Sequence, residues 1–314
     1  MSRYISRRLL LLAVQVILVA TVVFLLLRLV PGDPARAILG ETASEEQLAR
    51  VRSQLGIDRP FHEQYVEWLG RLVRGDLGTS VVTGRPVMLD VQQRIGNTIE
   101  LIVLSTIVSL LAGIPLGIVA ALRANRPADY ALSSLAMLGL SLPSFVVGTL
   151  MLLVFGLTLR WLPPAQFVPW SVDPGQHLRV IILPVLALAA SSTAVVLRMT
   201  RSSMLEVVRQ DYIRTARAKG LNGQLVIFRH ALRNALNPVA SVVGLEIAAL
   251  LGGTVIVESI FNWPGLSSLL ITGVRSRDYP VVQGVVLLIA VLTVVINLLV
   301  DLVYGWLDPR ISYS

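Results

Sequence analysis

A chain of 314 residues that is 54% hydrophobic, with a mean hydropathy of +0.73, carries more apolar sequence than the interior of a soluble domain of that length can hold. The net charge of +8 does not by itself indicate nucleic acid, because membrane proteins gather basic residues in cytoplasmic loops. The absence of cysteine excludes disulfides, thiolate metal sites and cysteine nucleophiles.

A helix needs about 20 largely uncharged residues to cross about 30 Å of hydrocarbon. Six stretches have that character: Leu9–Val30, Leu101–Leu122, Ala131–Leu159, Val180–Leu197, Val239–Val257 and Val281–Val300. Arg3, Arg7 and Arg8 precede the first as in a secretory signal. Its apolar run is longer than a signal's and no small-residue cleavage site follows, so an uncleaved first helix is expected. Arg28 near its end can snorkel to the interface.

Residues 31–98 form the first long connection. It opens with Pro31-Gly32-Asp33-Pro34, which cannot continue a helix. Ser44 with Gln47 makes a capping-box pattern ahead of Leu48, Val51, Leu55 and Gly56. Phe61, Tyr65, Trp68 and Leu72 then give a second amphipathic run, so a folded helical cap is expected here. Pro115, Pro143 and Pro184 lie within spans and should kink or locally unwind them.

Residues 199–237 form the second long connection, and the pattern predicts helix, turn, helix. Met204, Leu205, Val208, Tyr212 and Ala216 give the first face, Gly220-Leu221-Asn222-Gly223 the break, and Leu225–Leu236 the second helix. Arg198, Arg201, Arg209, Arg214, Arg217, Lys219, Arg229 and Arg233 crowd this segment, with Arg123 and Arg126 on the same side. The short loops on the opposite side hold Arg160, Arg179, Arg275 and Arg277. That asymmetry puts both termini, Arg310 included, in the cytoplasm.

Three uses of the basic segment compete: amphipathic helices on anionic headgroups, a helix-turn-helix reader of DNA, or a docking element for a cytoplasmic partner. Short tethers to two spans disfavour DNA, and composition alone favours headgroups. The residues reverse that order. Asp211-Tyr212-Ile213-Arg214-Thr215-Ala216-Arg217-Ala218-Lys219-Gly220-Leu221 resembles the coupling-loop signature of binding-protein-dependent ABC importer permeases, in the dipeptide, oligopeptide and nickel branch. Further blocks resemble that branch in order along the chain: Leu29-Val30-Pro31-Gly32-Asp33-Pro34, Arg74-Gly75-Asp76-Leu77-Gly78-Thr79-Ser80, Glu258-Ser259-Ile260-Phe261-Asn262-Trp263-Pro264-Gly265, Arg277-Asp278-Tyr279-Pro280 and Asp308-Pro309-Arg310. Thr215 stands where other branches often carry glutamate, Asn237 where an apolar residue is usual, and Ser267 where glycine is frequent.

The resemblance implies an all-α polytopic fold with six transmembrane helices. Segment 1–30 is the N-terminus and first helix, 31–98 an extracytoplasmic cap, and 99–314 a five-helix core containing the coupling loop. It implies ATPase coupling through Asp211, Tyr212, Thr215, Ala216, Arg217, Ala218, Lys219 and Gly220, and an extracytoplasmic gate or binding-protein contact at Asp76, Trp263, Pro264, Gly265 and Asp278. The expected partners are a homologous second permease, two ATPase subunits or domains holding ATP and magnesium, an extracytoplasmic solute-binding protein, and lipid, with no nucleic acid. The expected location is the bacterial inner membrane.

Glu246 is a carboxylate in the middle of the fifth span, where such groups face a bundle interior or an aqueous cavity. It is either a substrate-pathway group, meeting a peptide's ammonium, or a structural hydrogen-bonding group. Asn297 in the last span has the same two uses, with interhelical bonding in front. Glu258 and Asp301 lie near helix ends, where headgroup-level solvation is expected.

Chemistry within the chain is not expected. Lys219 is the only lysine and precedes Gly220, so no phosphate-binding Gly-Lys-Ser/Thr turn exists. His62, His177 and His230 sit in three different loops, without a converging nucleophile, base or metal-ligand spacing. Against the importer stand an ion-coupled carrier or channel using Glu246, and a membrane-anchored scaffold that transports nothing.

Overall fold

A computed structural model describes residues 2–29, 35–36, 43–56 and 58–307. The blocks Pro31–Pro34 and Asp308–Arg310 lie outside the described residues, as do the side chains of Arg3, Arg7, Arg8, Arg28, Val51, Leu55 and Asp301. Among the described residues the secondary structure is helical, apart from one isolated antiparallel bridge, Thr79 to Pro86.

The helices in chain order are α1 (Ser2–Leu29), α2 (Glu45–Leu55), α3 (Phe61–Val73), α4 (Val87–Leu122), α5 (Pro127–Ser141) and α6 (Ser144–Met151). They continue with α7 (Pro174–Val208), α8 (Asp211–Ala218), α9 (Gly223–Ile260), α10 (Leu266–Arg275) and α11 (Tyr279–Leu307). Helices α4, α7 and α9, with Tyr279–Val300 of α11, are each long and apolar enough to cross a membrane. A fifth span is made by α5 and the segment Ser144–Thr158 together. Helix α1 is 28 residues long, and its described side chains, Leu10–Leu25, form an apolar run shorter than a span. Six helical segments therefore stand where the sequence places six spans.

The chain divides into two compact units. The first takes the described residues up to Thr98 together with Pro264–Val295; the second takes Ile99–Trp263 and the residues from Ile296 onward.

In the first unit the cap helices form as their patterns demand. Ser44 and Gln47 close a reciprocal capping box on α2, and Gly56 ends it in the left-handed conformation at φ +63°. The aromatic face of α3 seats on α1: the rings of Phe61, Tyr65 and Trp68 lie 5.3, 5.2 and 5.4 Å from buried Phe24. Each such pair contributes about 0.5–1.5 kcal/mol beyond its area. Helix α10 is absent from the sequence-based expectation; its Leu266 and Leu269 pack with Val87, Val91, Val281 and Val285.

In the second unit α7 is the most enclosed span. Close approach to α4 depends on Gly113 and Gly117. A Cβ at Gly117 would sit 2.6 Å from Thr200 Cβ and 2.7 Å from the Leu197 carbonyl oxygen, which side-chain rotation cannot relieve. Gly117→Ala is therefore expected to force the helices apart, lowering stability by about 1–3 kcal/mol. Thermal unfolding of the purified protein measures this, and an unchanged midpoint would mean that the two helices accommodate the added methyl group.

The prolines divide. Pro115 and Pro184 lie inside continuous helices, whereas Pro143 ends one helix and begins the next. The stretch Ala131–Leu159, expected as one span, is thus a broken pair bent by 101°. After α6 the chain loosens into π-helical turns over Leu152–Thr158. At the start of α5, Asp129 is 2% exposed and accepts from Arg201 Nε at 2.6 Å and Nη2 at 2.8 Å, a two-pronged pairing to α7. The Asn125 backbone N–H and the Ser133 hydroxyl donate to the same carboxylate.

Candidate functional site

The basic loop resolves differently from a simple helix, turn, helix. Met204, Leu205 and Val208 belong to the end of α7, which runs on to Val208. Gln210, extended at ψ 150°, then separates α7 from the short helix α8. The turn after α8 closes through Gly220 at φ +75°, whose N–H reaches the Arg217 carbonyl at 2.9 Å. Asn222 caps the next helix by accepting from the Gln224 N–H at 2.9 Å. Through π-helical turns at Val226–Ala231 that helix continues into α9 without a stop.

Two faces of α8 follow from its sequence. Ile213 and Ala216, three residues apart, are buried in a cluster with Met204, Val207, Val226, Ala231 and Ala235. Asp211, Tyr212, Thr215, Arg217, Ala218, Lys219 and Gly220 are exposed. Of the residues assigned to coupling, only Ala216 turns inward, where its small size lets α8 lie close against its own chain. Ile213, missed by the sequence assignment, is 0% exposed and anchors the helix; its three-residue spacing from Ala216 was the available signal. Tyr212 ties α8 to α9, accepting from Asn234 Nδ2 at 2.8 Å, and Asn234 also donates to the His230 carbonyl. Thr215 donates to the Asp211 carbonyl at 3.0 Å.

Glu246 is half-buried on α9 and accepts from the buried Ser192 hydroxyl on α7 at 2.8 Å. One oxygen is thus held while the side chain keeps some exposure, compatible with either expected use. Asn297 is exposed on α11 and makes no side-chain hydrogen bond among the described residues. Glu258, expected at headgroup level, is instead 0% exposed, within the packed end of α9.

The residues assigned to an outer gate fall in two places. In the first unit, the loop after α3 and the start of α11 are joined by Asp278. Its Oδ2 accepts from the Ser80 hydroxyl at 2.5 Å, and Asp278 is 3% exposed. Asp76 shapes the same loop by accepting from the Gly78 N–H at 2.8 Å. Pro264 accepts from Asn97 Nδ2, and the Leu266 N–H donates to Thr98 Oγ1 beside Gly265. Two sequence blocks nearly 200 positions apart, Arg74–Ser80 and Arg277–Pro280, thus meet in one buried latch.

In the second unit Trp263 is 0% exposed, its ring 4.8 Å from Phe167 and 5.5 Å from His177. His177 lies in the first turn of α7, not in a loop, and both its ring nitrogens are engaged. Nδ1 meets the Val168 carbonyl at 2.6 Å, and Nε2 meets Glu100 Oε1 at 3.0 Å. Trp170 stacks on the imidazole at 4.3 Å and donates to the same carboxylate oxygen. Among the described residues no three histidine, aspartate or glutamate side chains group as metal ligands.

Comparison with known proteins gives a consistent set of matches. The family described as binding-protein-dependent transport system inner membrane component matches residues 113–313, and its N-terminal companion family matches residues 1–102. A "probable peptide ABC transporter permease protein" of Sinorhizobium fredii is 42% identical, covering all of both chains. A glutathione transport system permease protein of Salmonella choleraesuis is 43% identical, again covering all of both chains. Among solved structures, a chain of an inward-facing methionine ABC transporter aligns with a TM-score of 0.57 at 15% identity, over 70% of this chain and 97% of that one. That last likeness concerns the fold alone.

Proposed function

Because the chain belongs to the family of binding-protein-dependent transport system inner membrane components, we propose that it forms half of the translocation pathway of an ATP-driven importer for peptides or peptide-like solutes. Family membership makes it a multi-pass inner-membrane transport subunit rather than a catalytic one. The peptide class is supported by the full-length relatives, which are named for peptide and glutathione transport.

The observation that carries the coupling proposal is the short helix α8. It has a polar exposed face, an apolar anchor and a left-handed glycine at its exit, and it lies between two membrane spans. A separate ATPase subunit, holding ATP and magnesium, takes this face in a cleft. ATP-driven closure of two such subunits draws the two coupling helices together, one from this chain and one from a homologous permease. Because α8 is locked to α7 and α9 by Ile213 and Tyr212, the motion passes to those spans as a rigid-body shift. Packed helices switch in this way rather than deforming continuously. Both termini lie on the ATPase side, and an extracytoplasmic binding protein delivers the solute from the other.

Asp278 and Trp263 are buried in the present arrangement, so their part at the outer face is to hold the gate segments in place. Glu246 meets the peptide's ammonium group. Glu246→Gln is expected to raise the KM for uptake of a peptide with a free amino terminus about tenfold, as loss of a charged hydrogen bond does. An unchanged KM in reconstituted vesicles would remove Glu246 from the pathway.

The importer proposal itself is tested by mild-detergent purification from the native membrane with mass spectrometry. A second six-span permease and an ATPase bearing a phosphate-binding loop are the expected companions. Recovery of the chain alone, from membranes where those proteins are present, would sink it.

A further inference from the structure

Where α7 gives way to the coupling helix, a cavity of about 470 Å³ opens between α7, α8 and α9. Ser203 and Glu206 line it from one side of α7, one turn apart, and Gln210 from the extended link to α8. Tyr212 and Asn234 line it from α8 and α9. The volume falls within the roughly 300–1,000 Å³ of small-molecule sites.

Three observations say what fits. First, the side chains of Ser203, Glu206 and Gln210 make no hydrogen bond or ion pair among the described residues. Ser203 is 5% exposed, so its hydroxyl is left to the cavity, while Glu206 and Gln210 are exposed and present their polar groups to whatever enters from solvent. Tyr212 and Asn234 are fixed by their mutual bond of 2.8 Å. Second, residues 198–233 contain eight basic side chains, yet none of them lines the cavity, and its single charge is the Glu206 carboxylate. An anion drawn to the basic loop would be repelled at this wall. Third, the lining has one carboxylate and belongs to no group of three His, Asp or Glu side chains among the described residues, whereas one carboxylate among neutral oxygens matches a primary ammonium. Its three N–H donors pair with one charged acceptor and two neutral ones, such as the Ser203 hydroxyl and the Gln210 carbonyl.

We propose that this cavity is a binding site for the protonated amine of a small solute, held by Glu206 with Ser203 and Gln210. An occupant touches the coupling helix α8 and both helices that carry it, so it stabilises their present arrangement over any in which they separate. The binding step is independent of the importer proposal. Its consequence rests on that proposal: solute accumulated on the loop side slows the cycle that would bring in more.

Saturation-transfer NMR tests the site, using dialanine as probe on the nanodisc-embedded chain with whatever subunits purify with it. Dialanine is expected to bind the wild type, while N-acetyl-dialanine, which lacks the ammonium, is not. Glu206→Gln is expected to weaken binding about tenfold, the usual effect of losing a charged acceptor. Glu206→Asp is expected to keep it, showing that the fold tolerates change at this position, and the loss caused by Glu206→Gln is expected to persist in a Glu246→Gln background, where the transmembrane carboxylate no longer contributes. Equal binding of the acetylated probe, or undiminished binding by Glu206→Gln, would overturn the proposal. So would loss of binding in Glu246→Gln alone, which would locate the probe at the transmembrane carboxylate. Binding to the isolated chain that vanishes in the assembled transporter would make the cavity part of a subunit interface instead. If no subunits accompany the chain yet Glu206-dependent binding persists, the importer proposal fails and the site stands.

Discussion

Gly220→Val is expected to leave membrane insertion intact and to uncouple ATP hydrolysis from uptake, cutting uptake by an order of magnitude or more. Gly220 has φ +75°, and a Cβ there would meet nothing within 4 Å. The entire effect is therefore backbone strain, about 1–3 kcal/mol for a side chain forced into left-handed geometry, and more for a β-branched one. The turn escapes by unwinding, which moves the last residues of α8 and releases the exposed Arg217-Ala218-Lys219 edge from its position. Asparagine tolerates this conformation, so Gly220→Asn should retain most of the uptake. Parallel measurement of hydrolysis and uptake in reconstituted vesicles decides the matter. Wild-type uptake by the valine variant would remove the turn from the coupling path.

Arg201→Ala is expected to be the most destabilising single change in the second unit, costing about 3–5 kcal/mol by leaving a buried carboxylate without its partner. The asymmetry of the pair makes the prediction directional. Asp129 has a side-chain exposure of 2% and Arg201 of 29%, so Asp129→Ala leaves behind a cation that still reaches solvent and should cost less. Replacing both by leucine should recover much of the loss, since paired apolar groups replace a buried ion pair at little cost. Thermal midpoints of the three variants in detergent provide the check. Equal loss in both alanine variants would mean that burial is not what sets the cost.

Much of this fold was legible in the sequence because its signals are local. The capping box at Ser44, the aromatic spacing on α3 and the apolar runs of the spans each depend on residues within a few turns of one another. Helix α8, the proposed coupling helix, was legible as a motif, but not in its orientation. Ala216 reads as a small residue offered to a partner, and only packing against Met204 and Val226 shows that it faces inward. What stayed hidden depends on distant pairing. Nothing near Asp278 in sequence announces Ser80, and nothing near His177 announces Glu100, because such bonds arise from chain topology. Glu258 shows the same gap: its place near a helix end suggested solvent, while tertiary burial excludes it.

The break at Pro143 bears on how the chain is made. Helix α5 has 15 residues, and α6 with its π-helical extension has another 15. At about 1.5 Å per residue each half reaches roughly 22 Å, short of the hydrocarbon thickness. At the bend, backbone carbonyls and N–H groups lack helical partners and find no substitutes in lipid. Neither half is therefore stable in the bilayer by itself during synthesis. Helix α6 packs against α7 and α9, both of which are translated after it, with α9 ending more than a hundred residues beyond its start. The nascent third span must wait, sheltered by the insertion machinery, until those two helices exist to receive it. Truncations that stop before α9 should accordingly leave this one segment outside the membrane while the preceding spans are already in place.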